Sequence, residues 1–240
     1  MKRIFSLLVF LIGSAPGSGL AEGAPVVVEL FTSQGCYSCP PADEVLGELA
    51  ERDDVIALGL HVTYWDRLGW PDTLGSKAST ERQYWYRGRI EARGVYTPQM
   101  VIHGQTDIVG SSRNRVISAV DRLQDENRNA AAAIEIARAG NVLQLDFDPT
   151  SSPVTAEIFV AVFDARQVVE IERGENAGKT LTYHHPVRSF RSAGNWNGAA
   201  TSLELALKDL AATPEAGVAV FAQSADGRVL AAAQHRPWKD

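Results

Sequence analysis

The sequence contains only two cysteines and has no excess of positive charge. Two cysteines exclude a scaffold held by many disulfides and a zinc site made of cysteine alone. With 23 basic and 29 acidic residues the net charge is -6, so a nucleic-acid surface would have to act against the field of the whole protein. We therefore expect no nucleic-acid partner, and any sulfur chemistry must use Cys36 and Cys39.

The sequence also lacks an apolar run of the roughly 20 residues that a membrane-spanning helix needs. Its amino terminus has two basic residues, a shorter apolar run from Ile4 to Ile12, and the small residues Gly19 and Ala21 on either side of Leu20. This pattern is typical of a secretory signal peptide over residues 1–21, with an uncleaved anchor as the alternative. We expect a periplasmic or secreted protein with no membrane span after signal removal, in which a lone cysteine pair is oxidised.

The first half of the chain, 22–129, alternates short apolar runs with segments of helical periodicity. This alternation predicts the order βαβαββα. The predicted elements are strand Val26 to Phe31, helix Pro41 to Arg52, strand Val55 to His61, helix Lys77 to Arg93, a hairpin from Gln99 to Val109, and a helix after Ser112.

Helical signals are nearly absent after residue 130. Gly140-Asn141 and Asp226-Gly227 each separate two strand-like segments, which is typical of hairpins. About seven strands with turns at short intervals favour an antiparallel sandwich. The sequence thus predicts a second, all-β, sandwich-like domain over 130–240, after a first domain over 22–129.

The two cysteines lie where the first strand meets the first helix, in the segment Gly35-Cys36-Tyr37-Ser38-Cys39-Pro40-Pro41. A spacing of two residues on a first helical turn brings the sulfurs close enough to bridge. Unpaired N–H groups and the positive end of the helix dipole favour a thiolate on Cys36, which makes it the predicted nucleophile. Cys39, further into the helix and more buried, would attack the mixed disulfide and release the partner.

A C-x-x-C motif alone is also compatible with half a zinc site or a plain disulfide. Pro98 supplies a second indication. It lies at the entrance of a predicted strand, where a proline is unfavourable unless its peptide bond is cis. Together, the element order, the C-x-x-C motif and Pro98 resemble the thioredoxin fold over about residues 26–127. That resemblance implies an α/β thioredoxin-like domain in which Pro98 faces the dithiol.

A narrower resemblance covers nearly the whole mature chain. It rests on Val28 to Cys36 with Cys39 to Asp43, on His61-Val62 with Tyr64-Trp65-Asp66, on Leu68-Gly69-Trp70, and on Gly174 to Gly178. These segments resemble the secreted bacterial family called domain of unknown function 1223. The family name implies no activity, so the expectation of redox chemistry rests on the residues.

Two further residues are candidates for the site. Thioredoxins carry a buried acidic residue on the first strand, and Glu29 is the nearest substitute here. It would relay the proton of Cys39, or it would be a strand-edge carboxylate in a polar contact. Thr97, directly before Pro98, would bring its hydroxyl near the sulfurs.

Seven of the eleven Trp and Tyr residues lie in the segment from Tyr64 to Tyr96. They would form a groove beside the redox centre or, alternatively, core packing under a long loop. His61 and His103 would either add ligands for Cu(I) beside the cysteines or act as structural residues. The run from Arg173 to Lys179 is interpreted as a turn.

Three classes of function follow. The first is an exported thiol-disulfide oxidoreductase that uses Cys36, Cys39, Thr97, Pro98 and Glu29, needs no cofactor, and acts on exported protein thiols or a redox partner protein. The second is a Cu(I)-binding or delivery module that uses the same dithiol. The third is a structural or adaptor protein in which the disulfide braces the first helix.

Overall fold

A computed structural model describes residues 24–90, 92, 94–127 and 133–237. The described residues up to 127 form four strands and three α-helices. In chain order they are β1 Val26–Thr32, α1 Pro40–Ala50, β2 Val55–His61, α2 Lys77–Tyr86, β3 Gln99–Ile102, β4 Thr106–Val109 and α3 Arg113–Asn127. A short 3-10 helix, Asp66–Leu68, lies between β2 and α2.

These four strands form the first sheet, in the order β2-β1-β3-β4. β1 pairs with β2 in parallel and with β3 antiparallel. All seven residues of β1 are buried, as expected of a central strand covered on both faces. Because β1 is central, the loop that leaves its carboxyl end starts from a fixed position.

Nine strands follow between residues 134 and 235. They are β5 Ile134–Ala139, β6 Val142–Phe147, β7 Ala156–Phe163, β8 Arg166–Glu170, β9 Thr180–His184, β10 Val187–Trp196, β11 Thr201–Ala206, β12 Gly217–Ser224 and β13 Val229–His235. They form a four-stranded second sheet, β10-β7-β12-β13, a three-stranded third sheet, β11-β6-β5, and a two-stranded hairpin, β8-β9.

The sheets and helices stack in layers. Val28 and Leu30 of β1 face a core shared with α1 and α3. Val27 and Phe31 alternate with them and face the second sheet, where Phe221 belongs to the same core. The opposite face of the second sheet packs on the third sheet. The first sheet therefore separates the layer of α1 and α3 from a stack of sheets.

The predicted fold class, an α/β thioredoxin-like domain (βαβαββα) followed by an all-β sandwich-like domain, is wrong for this chain. Of the residues that the structure describes, 42% lie in strands and 21% in three helices, and the fold is mainly β. The physical reason is that one face of the first sheet packs on a second sheet, so that much of the core lies between sheets.

Two features predicted from the sequence lie outside the described residues. The predicted signal peptide, 1–21, lies outside the described residues, and so do residues 128–132, where the domain boundary is predicted. The two-domain division stays a prediction. Within the described ranges, no helix combines the length and apolar character required to cross a membrane.

Candidate functional site

The two cysteines form a disulfide where β1 meets α1. Cys36 and Cys39 are bonded, with their Cα atoms 5.4 Å apart, which confirms the predicted disulfide. The helix begins at Pro40, directly after Cys39, and proline is well tolerated there because the first turn leaves its N–H groups unpaired anyway. The expected difference in exposure is absent, since both cysteines are fully buried.

Thr97 and Pro98 lie beside this disulfide, as the sequence analysis expected. The Thr97 hydroxyl donates to the Sγ atom of Cys36 at 3.3 Å, and the Thr97–Pro98 peptide bond is cis. The indole N–H of Trp65 donates to the same Thr97 hydroxyl at 2.8 Å. A hydrogen-bond chain thus runs from Trp65 through the Thr97 hydroxyl to the sulfur of Cys36.

Gln34 is a buried anchor of the cysteine loop that the sequence analysis missed. Its backbone N–H donates to Asp72 Oδ2 at 2.8 Å, and its side-chain oxygen accepts from the indole of Trp70 at 2.8 Å. Its side-chain amide donates to Thr73 at 2.9 Å. The loop between β2 and α2 is therefore hydrogen-bonded, through Gln34, to the cysteine loop between β1 and α1. The aromatic residues here include anchors of the site as well as core residues.

A second element, the turn between β8 and β9, covers the cysteine loop. We call residues 171–179 the covering turn. Asn176 is fully buried, and its side-chain amide donates to the carbonyls of Gln34 and Cys36, at 2.9 and 3.0 Å. Glu175 Oε2 accepts the backbone N–H of Tyr37 at 3.1 Å. The sequence predicts only a turn here, and the Gly174–Gly178 motif is the available signal.

A buried acid lies in the first turn of α1. Asp43 is 6% exposed, and its Oδ2 atom has no hydrogen-bond partner among the described residues. Burial raises its pKa to about 7, against the opposing charge of His61. The Asp43 N–H donates to the Cys39 carbonyl at 3.2 Å. Since residues four apart on a helix are neighbours, the carboxyl group lies on the Cys39 side of α1.

Polar groups from other elements surround this acid. His61 Nδ1 and Asp72 Oδ2 lie 2.8 Å apart, and the His61 ring packs edge-on against Tyr183 with centroids 4.7 Å apart. The hydroxyls of Thr32 and Tyr183 are buried and have no hydrogen-bond partner within the described ranges. Burial raises the pKa of the Tyr183 phenol. Asp43 therefore belongs to a polar cluster inside the fold.

Glu29 lies away from the disulfide. It shares one face of β1 with Val27 and Phe31, so it faces the second sheet, whereas α1 packs on the opposite face. Its carboxylate accepts from Arg82 Nε at 2.8 Å and from Arg82 Nη2 at 3.0 Å. It also accepts from the Tyr86 hydroxyl. Of the two alternatives for Glu29, this geometry favours the polar contact.

The two candidate copper ligands make local contacts. His103 is buried; its Nδ1 atom accepts from the N–H of Val27 at 3.2 Å, and its Nε2 atom lies 3.0 Å from the Asn127 amide. Burial lowers the pKa of His103 to about 4, which keeps the ring neutral. His61 pairs with Asp72 as described. Within the described ranges, no group of three or more His, Cys, Asp or Glu residues is placed to hold a metal ion.

Comparisons with known proteins place the chain in a family. A crystal structure of a protein from Agrobacterium tumefaciens matches with a TM-score of 0.79 and 33% identity, covering 91% of this chain and 96% of that chain. HBP35 of Porphyromonas gingivalis matches with a TM-score of 0.60 and 14% identity, covering 91% and 77%, a likeness of fold alone. No curated protein matches. The model of a protein family of unknown function, DUF1223, matches residues 27–223, and the chain belongs to that family.

Proposed function

We propose that the protein is a thiol-disulfide oxidoreductase whose redox centre is the Cys36–Cys39 pair. The observation that carries the proposal is the contact at Cys36, where the Thr97 hydroxyl donates to the sulfur atom at 3.3 Å. A hydrogen bond to sulfur stabilises a thiolate more than a thiol. This contact favours Cys36 as the nucleophile and leaving group of disulfide exchange.

The exchange proceeds in two steps that balance. The Cys36 thiolate attacks one sulfur of a substrate disulfide, forming a mixed disulfide and releasing one substrate thiolate. Cys39 then loses its proton and attacks the Cys36 sulfur, which forms the intramolecular disulfide and releases the second substrate thiolate. The dithiol has given two electrons and two protons to the substrate. A dithiol protein of lower reduction potential would restore it.

Asp43 is the residue that we assign as proton acceptor for Cys39. Its pKa of about 7 allows it to take and return a proton near neutral pH. A cavity of about 250 Å³, lined by Asp43, Thr182 and His184 among others, lies between the start of α1 and β9. Through it the proton would reach solvent. This role replaces the one considered for Glu29, which is bound to Arg82 on the other face of the sheet.

The substrates are proposed to be exported proteins, in keeping with the signal peptide predicted at residues 1–21. Outside the cell membrane an oxidised C-x-x-C pair persists, whereas thiols in the cytosol are kept reduced. The proposal therefore includes a periplasmic or secreted location.

The experiment is a redox titration combined with trapping. The Cys36–Cys39 pair is equilibrated with glutathione buffers, and reduction of a disulfide-bonded model peptide is followed. We expect a potential in the range of disulfide-exchange enzymes. Cys39→Ser should accumulate a mixed disulfide with the peptide, and the matched variant Cys36→Ser should not. A pair that stays oxidised in all glutathione buffers, with no trapped species, would show that the disulfide is only a brace.

A further inference from the structure

The covering turn places a charged side chain on the loop between the two cysteines. Glu175 Oε2 accepts the backbone N–H of Tyr37 at 3.1 Å, and Tyr37 directly follows Cys36. These residues are 138 positions apart in the chain. A segment from the second half of the sequence therefore supplies an acidic group to the redox loop.

This contact is held in place by a buried side chain. Asn176 donates to the carbonyls of Gln34 and Cys36, while its own oxygen accepts from Lys179 Nζ at 2.9 Å. Because a buried amide with all these bonds is costly to displace, the turn has little freedom to move away from the cysteines. Glu175, although exposed, is thus attached to a fixed piece of backbone.

A carboxylate at this position changes the stability of the reduced, dithiol form of the pair. Backbone N–H groups close to a sulfur stabilise a thiolate, and Glu175 occupies the N–H of Tyr37 and adds a negative charge beside the residue that follows Cys36. A negative neighbour makes formation of the thiolate less favourable. A disulfide couple whose thiolate is destabilised shifts toward the oxidised form, so its dithiol is the stronger reductant.

Other groups near Cys36 act in different ways. The Thr97 hydroxyl is a neutral donor that favours the thiolate. Lys179 carries a positive charge, with Nζ 4.8 Å from the centre of the Tyr37 ring, and opposes Glu175. Asp43 lies further along α1 beside Cys39 and carries part of a negative charge near pH 7. Of these ionisable groups, Glu175 is the one that hydrogen-bonds the residue next to Cys36.

We propose that Glu175 is a positioning residue that holds the Cys36–Cys39 couple at a more reducing potential and so favours the reduction of substrate disulfides. The inference rests on the proposed function and adds a direction of electron flow to it. In that direction the dithiol passes two electrons and two protons to the substrate disulfide, and a dithiol protein of lower potential restores it.

The test uses Glu175→Gln in the full protein. Glutamine keeps an oxygen that accepts the Tyr37 N–H and removes only the charge. We expect the equilibrium with glutathione to shift about threefold toward the dithiol, since interactions between exposed charges are weak. Alkylation of Cys36 should begin at lower pH, and both changes should shrink in high salt.

Glu172→Gln is the matched control, because Glu172 is an exposed acid of the same turn and its substitution changes the net charge by the same amount. We expect it to behave as wild type. If Glu175→Gln equals Glu172→Gln in both measurements, or shifts toward the disulfide, the inference is wrong while the oxidoreductase proposal stands. If wild-type protein shows no exchange with glutathione at all, the proposed function itself fails.

Asn176→Ala provides a second variant that leaves the Glu175 carboxylate in place. Without the amide the turn loses its bonds to the cysteine loop, so the carboxylate is no longer held at Tyr37. We expect the equilibrium to shift in the same direction as in Glu175→Gln, and the double variant to shift no further than Asn176→Ala alone. Additive shifts would contradict the idea that Asn176 acts through Glu175.

Discussion

Asp43 lies one helical turn after Cys39 and donates its backbone N–H to the Cys39 carbonyl at 3.2 Å. An acid in the first turn of a helix usually faces solvent and has a low pKa. This one is buried, has an unpartnered oxygen within the described ranges, and has a pKa of about 7. The fold therefore keeps an uncharged acid beside the second cysteine under mildly acidic conditions and a charged one under alkaline conditions.

The first prediction is that Asp43 makes the protein less stable as the pH rises. In the folded state the pKa of Asp43 is about 7, against 3.8 for an ordinary aspartate. Between these values the folded state binds a proton that the unfolded state has lost, so the free energy of unfolding falls as pH rises. At about 1.4 kcal/mol per unit, the fall is on the order of 4 kcal/mol.

Asp43→Asn should remove this slope. Urea unfolding of wild type and variant between pH 4 and 8 provides the measurement. We expect the variant to gain stability relative to wild type as the pH increases. The same variant should slow the second step of exchange above pH 7, where the carboxylate accepts the Cys39 proton. Parallel stability curves would contradict the burial of an ionisable acid at this position.

The second prediction separates Glu29 from the redox centre. Glu29→Gln leaves the Arg82 guanidinium buried without its carboxylate partner, and loss of one member of a buried pair costs about 3–5 kcal/mol. Glu48→Gln is the control, because Glu48 pairs with Arg113 on the surface and should cost less than about 1 kcal/mol. Urea unfolding measures both.

Redox measurements complete that test. Since Glu29 faces the second sheet and Asp43 lies on the α1 side, Glu29→Gln should leave the pH dependence of exchange unchanged. Asp43→Asn should change it. A variant of Glu29 that folds stably and still loses the pH dependence would restore Glu29 as the proton relay.

The disulfide could be predicted from the sequence because its cause is local. Two cysteines three positions apart come close enough to bond when the strand–helix junction turns between them. Pro98 was expected beside the disulfide from the resemblance to the thioredoxin fold, and Thr97 from its position directly before Pro98. Short-range spacing and that resemblance led to these predictions.

The rest of the site depends on contacts between distant segments. Asn176 and Cys36 are 140 positions apart, and nothing in the spacing of either segment shows that they meet. Asp43 resembles an ordinary acidic residue of a first helical turn, and only the packing of β9 over α1 buries it. The fold class was wrong for the same reason, because alternation along β7 and β12 does not reveal which sheet their Phe residues face.

The third prediction concerns the contact between the β3–β4 hairpin and the β12–β13 turn. Gly104 has a φ of 65°, and a Cβ there would overlap the carbonyl oxygen of Gly227. Gly140 has a φ of 61° with open space around it. Gly140→Ala should therefore cost about 1 kcal/mol for the left-handed conformation alone. Gly104→Ala should cost at least about 2 kcal/mol more, because backbone must move.

Thermal or urea unfolding of the two alanine variants checks this difference, and the matched φ values remove conformational strain from the comparison. Equal losses would mean that the Gly104 and Gly227 backbones are not in contact in solution. A larger loss for Gly104→Ala supports close packing of the first sheet's hairpin against the turn that follows β12.

The last prediction concerns the hydroxyl that contacts Cys36. Thr97→Val preserves the shape of the side chain but removes the donor to the sulfur and the acceptor for Trp65. Because a hydrogen bond to a charged group is worth about 1.5–3 kcal/mol, the pKa of the Cys36 thiol in the reduced protein should rise by about one unit. Alkylation rates of Cys36 measured from pH 5 to 10 report this pKa.

Thr97→Ser is the matched control, since serine keeps the hydroxyl and loses only a methyl group. Its alkylation profile should follow that of wild type, whereas the profile of Thr97→Val moves to higher pH and the dithiol form becomes less favourable in glutathione buffers. If valine and serine give the same profile, the hydroxyl does not stabilise the thiolate. Ala substitution at Thr97 would then leave exchange with the model peptide unaffected.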